Sequence, residues 1–206
     1  MKSLFKLAFS TSVVAAVLVT MASAPIVEII MSLSLVLLVF LSKNDANSQL
    51  LTLCFAVVFI LSSVAMFVLE TLIYPAVDDY FIGNTFAFSV CLLLSLLLLF
   101  LLRHRMTVAV LLTRGKSASV FEKNYAEGPL YFLVIILASV DFLALMENFL
   151  RNLDRMGINE ETAKTFWEVT FFYDYFEYLK GVPMLLCITL LYVGLVVRTK
   201  RQPIQN

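Results

Sequence analysis

LYFLVIILASVDFLALMENFL, residues 130–150, decides how the rest of the chain is read. At 1.5 Å per residue, such a run is long enough to cross the ~30 Å hydrocarbon core of a bilayer as a helix. Asp141 sits near its middle and Glu147 near its end. An acidic, aromatic stretch follows, NEETAKTFWEVTFFYDYFEY (159–178), and then a second apolar run, VPMLLCITLLYVGLVV (182–197), closed by Arg198, Lys200 and Arg201. Apolar spans, a carboxylate at depth and an aromatic belt between them are the marks of a polytopic membrane protein.

The composition agrees. Apolar residues make up 61% of the 206 and charged residues 15%, against roughly 45–50% and 25% in soluble domains. The formal net charge is zero, so nothing points to nucleic acid as a partner. Cys54, Cys91 and Cys187 all lie inside apolar runs and match no metal-ligand spacing, so they read as small packing residues.

Working outward, further apolar runs occupy 4–24, 26–41, 50–72 and 86–102. None alternates with period two, so helices are expected rather than barrel strands. The expected fold is all-α: a polytopic transmembrane helical bundle of about six spans, forming a single integral-membrane domain over 1–206. Residues 1–24 carry Lys2, Lys6 and a final Ala22-Ser23-Ala24, the outline of a cleavable leader. Pro25, immediately after the would-be cut, suits a protease groove poorly. Cleavage would leave five spans.

Lys and Arg placement orients the spans. Lys2, Lys6, Lys43, Arg103, Arg105, Arg114, Lys116, Lys123, Arg198, Lys200 and Arg201 all fall on one side if six spans alternate. The loop 151–180 on the other side holds four basic residues against six acidic ones. The positive-inside rule then places both termini and the basic loop 103–128 in the cytoplasm, and the acidic, aromatic loop outside. The expected location is the plasma (inner) membrane.

Asp141 is the deepest ionisable residue, roughly 16 Å into the core when counted from Leu130. A lone charge there costs at least ~2.5–3.5 kcal/mol. With no Lys or Arg inside any span as delimited above, the expected states are a protonated acid, one bonded to hydroxyls, among them Ser62, Ser63, Ser95, Thr189 and Tyr192, or one facing water. Asn148 shares its helix face. Glu28, Glu70 and Glu147 fall near outer span ends and, with Asp78 and Asp79, would form an acidic vestibule. A plainer alternative pairs Glu147 with Arg151, one turn on. The 159–179 segment reads as one amphipathic interfacial helix capped by Asn159, with Trp167, Phe171, Tyr175 and Tyr178 as its aromatic stripe. That stripe is the candidate partner surface, together with the basic loop.

Other patterns carry less. Gly115-Lys116-Ser117 lacks the glycine of a phosphate-binding loop, since Val110 stands five residues earlier. His104 is the only histidine, so no histidine-based metal site is expected. No catalytic motif and no cofactor is expected. Three function classes follow. The first is an ion- or proton-handling channel or transporter with Asp141 at its centre. The second is a non-catalytic subunit of a larger membrane complex; the third, least favoured, is a membrane-embedded enzyme. Expected partners are the lipid bilayer and a homo-oligomer or other membrane subunits. Reporter fusions test the orientation: those after Asn206 and within 114–123 should read cytoplasmic, and one at Glu160 external. A cytoplasmic signal at Glu160 would invert the topology.

Overall fold

A computed structural model of the chain describes residues 24–77, 79–113 and 124–201. The span expected over 4–24 lies, but for Ala24, outside the described residues, as do Asp78, Arg114, Lys116 and Lys123. All regular structure among the described residues is helical. In chain order the helices are α1 (Ala24–Leu41), α2 (Ala46–Val68), α3 (Tyr80–Arg103), α4 (Arg105–Thr113), α5 (Glu127–Arg151), α6 (Glu160–Lys164), α7 (Phe171–Asp174) and α8 (Phe176–Arg201). Four segments are long and apolar enough to cross a membrane: Ala46–Ala76, Tyr80–Arg103, Glu127–Arg151 and Phe176–Thr199. A shorter apolar helix, Ile29–Leu41, accompanies them.

The expected runs 26–41, 50–72, 86–102, 130–150 and 182–197 are thus all helical, but the helices are longer than their apolar stretches. Capping explains two of the early starts. Asp45 accepts the Asn47 N–H at 3.3 Å to open α2, and Asp79 accepts the Phe81 N–H at 2.9 Å to open α3. A carboxylate at an N-cap satisfies an orphan donor and favours the positive end of the helix dipole. These first turns lie ahead of the apolar runs, so hydropathy alone does not mark them. At its far end α2 widens into a π-turn, Leu69–Ile73, and tightens into a 3-10 turn, Tyr74–Ala76. Pro75, which has no N–H to continue the ladder, lies in that last turn.

The largest correction concerns α8. Its apolar run was expected to open at Val182, just after Gly181, yet the helix starts at Phe176 and carries Pro183 inside it. Pro183 cannot donate to the Leu179 carbonyl, a loss that helices in bundles tolerate when neighbours compensate. The expected single helix over 159–179 is instead broken into α6, α7 and the first turn of α8.

Helix α1 packs along α2, with the Ser32 and Ser63 hydroxyls 3.2 Å apart. α3 packs along α5 and α5 along α8. Leu35, Phe55, Leu98, Leu130, Val134 and Cys187 are fully buried between them. The register of α5 and α8 is fixed at two levels. Lys180 meets Asp141, and Gly194 lies against Ala126 and Asn124. The two helices are therefore antiparallel, and Phe176 stands level with residue 145. That places the start of α8 about six residues, roughly 9 Å, short of the C-terminal end of α5 at Arg151.

On α3, the buried residues Gly83, Ala87, Cys91 and Ser95 recur every fourth position, the small-residue spacing that lets helices approach closely. A Cβ on Gly83 would lie 2.8 Å from the Tyr74 ring. We predict that Gly83→Val destabilises the solubilised protein by about 1–3 kcal/mol through overpacking. Adding Tyr74→Ala should recover most of that loss in thermal unfolding. An unchanged melting temperature in the single variant would show that the ring does not close on α3.

Candidate functional site

Asp141 and Lys180 form an ion pair at the level where α3, α5 and α8 meet. The Asp141 side chain is 0% exposed; Lys Nζ lies 2.8 Å from its Oδ1, and the Ser95 hydroxyl donates to Oδ2 at 2.5 Å. Each carboxylate oxygen thus faces a donor, which a buried carboxylate requires. The expectation that Asp141 lacks a basic partner is corrected. Lys180 was expected in the loop 151–180, but α8 begins short of the level of the α5 C-terminus and brings it level with Asp141. Of the hydroxyls considered, Ser95 is the one that bonds the carboxylate. A cavity of about 20 Å³ adjoins the pair, lined by Ser62, Cys91, Ser95 and Lys180 among apolar side chains. That is room for about one water.

A second polar cluster gathers at the end of the bundle where the basic residues lie. Arg198 bonds Asp45 through both Nε (2.6 Å) and Nη2 (3.1 Å), and the Ser48 hydroxyl donates to the same carboxylate at 2.6 Å. Arg105, also buried, donates to the Asn47 side chain and places Nε 2.9 Å from Glu127. Burial alone would raise the Asp45 carboxyl. The hydrogen bonds from Arg198 and Ser48, the Arg198 charge and the Asn47 N–H outweigh it and hold Asp45 below its ordinary value of 3.8. Lys180 and Arg198 are 18 residues apart, five turns of 3.6, so one face of α8 carries both cations about 27 Å apart.

At the opposite end the expected acidic vestibule is not assembled among the described residues. Glu147 is buried and accepts the N–H groups of Phe172 (2.8 Å) and Tyr173 (2.7 Å); the pairing with Arg151 does not form. Arg151 lies over the Tyr173 ring instead. Asp79 pairs with Arg155, and Glu70 is exposed in the π-turn. The side chain of Glu28 and all of Asp78 lie outside the described residues. Asn148 shares the buried face of α5 with Asp141, but it bonds Thr85 Oγ1 at 2.9 Å and the Phe81 carbonyl at 3.3 Å rather than the ion pair. Trp167, Phe171, Tyr175 and Tyr178 are exposed; with the segment broken, they do not lie on a single helix.

The Glu147 carboxylate explains the break. By capping Phe172 and Tyr173 it anchors the start of α7 against α5, one turn below the α5 end. The chain therefore dips into the bundle between Thr170 and Phe176, and the Phe176 ring packs edge-on to Phe88 at 5.0 Å. Sequence reasoning missed Lys180, Asp45 and Arg198 as site residues. A signal for Lys180 was present: a lone lysine one turn ahead of Pro183, in a helix whose register with Asp141 is a simple count.

No cluster of His, Cys, Asp and Glu able to hold a metal occurs among the described residues. No family model matches the chain, and neither the curated proteins nor the solved structures give a match.

The Asp45 pair carries a pH dependence whose sign is fixed. A carboxyl depressed on folding contributes stability above its unfolded value of about 3.8 and loses it as pH falls through the lower folded value. We predict that wild-type protein loses stability between about pH 5 and pH 2 more steeply than Asp45→Asn, with other carboxylates common to both. At pH 7 the variant, which leaves Arg198 buried without its counter-charge, should be about 3–5 kcal/mol less stable. Parallel pH slopes in thermal unfolding would show that the pair contributes nothing to acid sensitivity.

Proposed function

We propose that this is a small multi-pass membrane transport protein in which Asp141 and Lys180 form a proton- or cation-handling site. The observation that carries the reading is a carboxylate–ammonium pair at mid-depth, with Asp141 fully buried and Lys180 mostly so. Ionisable groups at that depth are expensive and mark transport paths more often than passive structure. The chemistry follows from charge balance. A proton arriving on Asp141 cancels the carboxylate and leaves the Lys180 ammonium alone in a low-dielectric site. An unpaired buried charge is strongly disfavoured, so one proton taken up by Asp141 drives one proton off Lys180. The pair stays neutral as a whole in both states. Ser95 holds the carboxylate in place, and the adjoining one-water cavity with Ser62 is the nearest polar step away from it. A metal cation would act likewise, competing with the ammonium for the two carboxylate oxygens.

The same reading places both termini and the Asp45–Arg198 end in the cytoplasm of a cell whose plasma (inner) membrane holds the protein. Catalysis forms no part of it. A second reading, a non-catalytic subunit of a membrane complex, is favoured by one specific observation: the exposed aromatic group Trp167, Phe171, Tyr175 and Tyr178 at one end of the bundle.

Reconstituted vesicles separate the two. Wild-type protein should dissipate an imposed pH or cation gradient, and Asp141→Asn, Lys180→Gln and the double variant should not. The double variant should remain folded, because replacing both members of a buried pair by neutral groups is far less costly than removing one. A folded double variant with wild-type flux, or a folded wild type with none, would sink the transport reading and leave the subunit reading.

A further inference from the structure

At the outer end of α5 a polar cavity of about 230 Å³ is lined by Arg151, Asn152, Asp154, Arg155 and Trp167. Its lining is mixed in a way that neither a simple anion site nor a cation site requires. Two guanidiniums, one carboxylate, one amide and one indole share a space more than tenfold larger than the cavity beside Asp141. Arg155 is engaged with Asp79. Among the described residues Arg151 stacks on Tyr173 at 4.9 Å and makes no ion pair, so its in-plane donors remain available for a doubly coordinated oxyanion. Asn152 commits its amide NH₂ to the Asn148 carbonyl at 2.8 Å, leaving Oδ1 as the acceptor it offers. Asp154 is exposed and carries no ion pair among the described residues. The Trp167 face can hold an ammonium by cation–π attraction, as it does Lys164 at 5.8 Å.

We propose that this cavity is a binding site for a zwitterionic phosphate-bearing group, an amine linked to a phosphate. The phosphate would lie on Arg151 with Arg155 behind it, and the amine between Asp154, Asn152 Oδ1 and Trp167. The position fits a lipid headgroup, because Arg151 ends a membrane-length helix where the headgroup layer begins. A soluble phosphate ester of an amino alcohol has the same chemistry. The site stands apart from the Asp141 pair, and its test does not depend on transport.

Trp167 is the single tryptophan of the chain, so its emission reports on this cavity alone. Full-length protein in detergent is titrated with a short-chain phosphatidylethanolamine, with free phosphoethanolamine and with inorganic phosphate. The expected result is a saturable change with the amine-bearing probes. Arg151→Gln should weaken it about tenfold or more, as for loss of a charge-assisted bond. Asp154→Asn, at an exposed position that packing does not constrain, should weaken the amine-bearing probes and leave inorganic phosphate no weaker. Tighter binding of the lipid than of free phosphoethanolamine assigns the site to a headgroup; equal binding assigns it to the soluble ester. No saturable change with any probe, inorganic phosphate binding as tightly as phosphoethanolamine, or unaltered curves in Asp154→Asn would overturn the proposal.

Discussion

A charge withdrawn from water must find a counter-charge, and in this bundle the face of α8 supplies two. Lys180 meets Asp141 on α5, and Arg198 meets Asp45 at the start of α2. Between them the same face carries Met184, Cys187 and Leu191, all buried. Helix–helix association in lipid has little hydrophobic driving force of its own. Here an apolar contact strip holds α8 to the bundle, and an ion pair near each of its ends fixes its rotation and register. A slip by one residue would turn both cations about 100° away from their carboxylates at once.

The connection between α5 and α8 follows from that register. Because Lys180 must stand level with Asp141, α8 has to begin short of the C-terminal end of α5, and the chain between them has to descend. Descending backbone exposes N–H groups to an apolar setting, where each unsatisfied group is costly. Glu147 takes up two of them, from Phe172 and Tyr173. A residue that reads in sequence as a tolerated outer acid is therefore a cap, and its use in that role keeps it from any vestibule with Asp79 and Glu70.

What could be read from the sequence divides along the same physical line. The apolar runs, the all-helical fold and the burial of Asp141 follow from hydropathy and helix length, which are local properties. Pairing is not local. Asp45 and Arg198 are 153 residues apart, and neither alone announces the other. Lys180 was hidden by a local rule, that Gly and Pro punctuate a span, applied where tertiary contacts carry the helix through Pro183. The aromatic segment failed for a similar reason: its helical spacing is real, but a carboxylate on another helix imposes the break.

The two ion pairs on α8 differ in what surrounds them, and this bears on which of them can change state. Asp45 is held by Arg198 through two bonds and by Ser48 and the Asn47 N–H besides, with Arg105 bridging Asn47 and Glu127 close by. Losing one of these bonds leaves the others in place, which suits a fixed anchor. Asp141 has one bond from Lys180 and one from Ser95, and a cavity at its side. Lys180 is carried one turn into α8, three residues before a proline that removes a backbone bond from that turn. A turn with a missing bond is easier to deform than its neighbours. On the transport reading proposed above, movement at the Asp141 level would be absorbed around Pro183 while the Asp45 end stays closed: the sparsely held pair would exchange the proton and the densely held one would keep α8 in register.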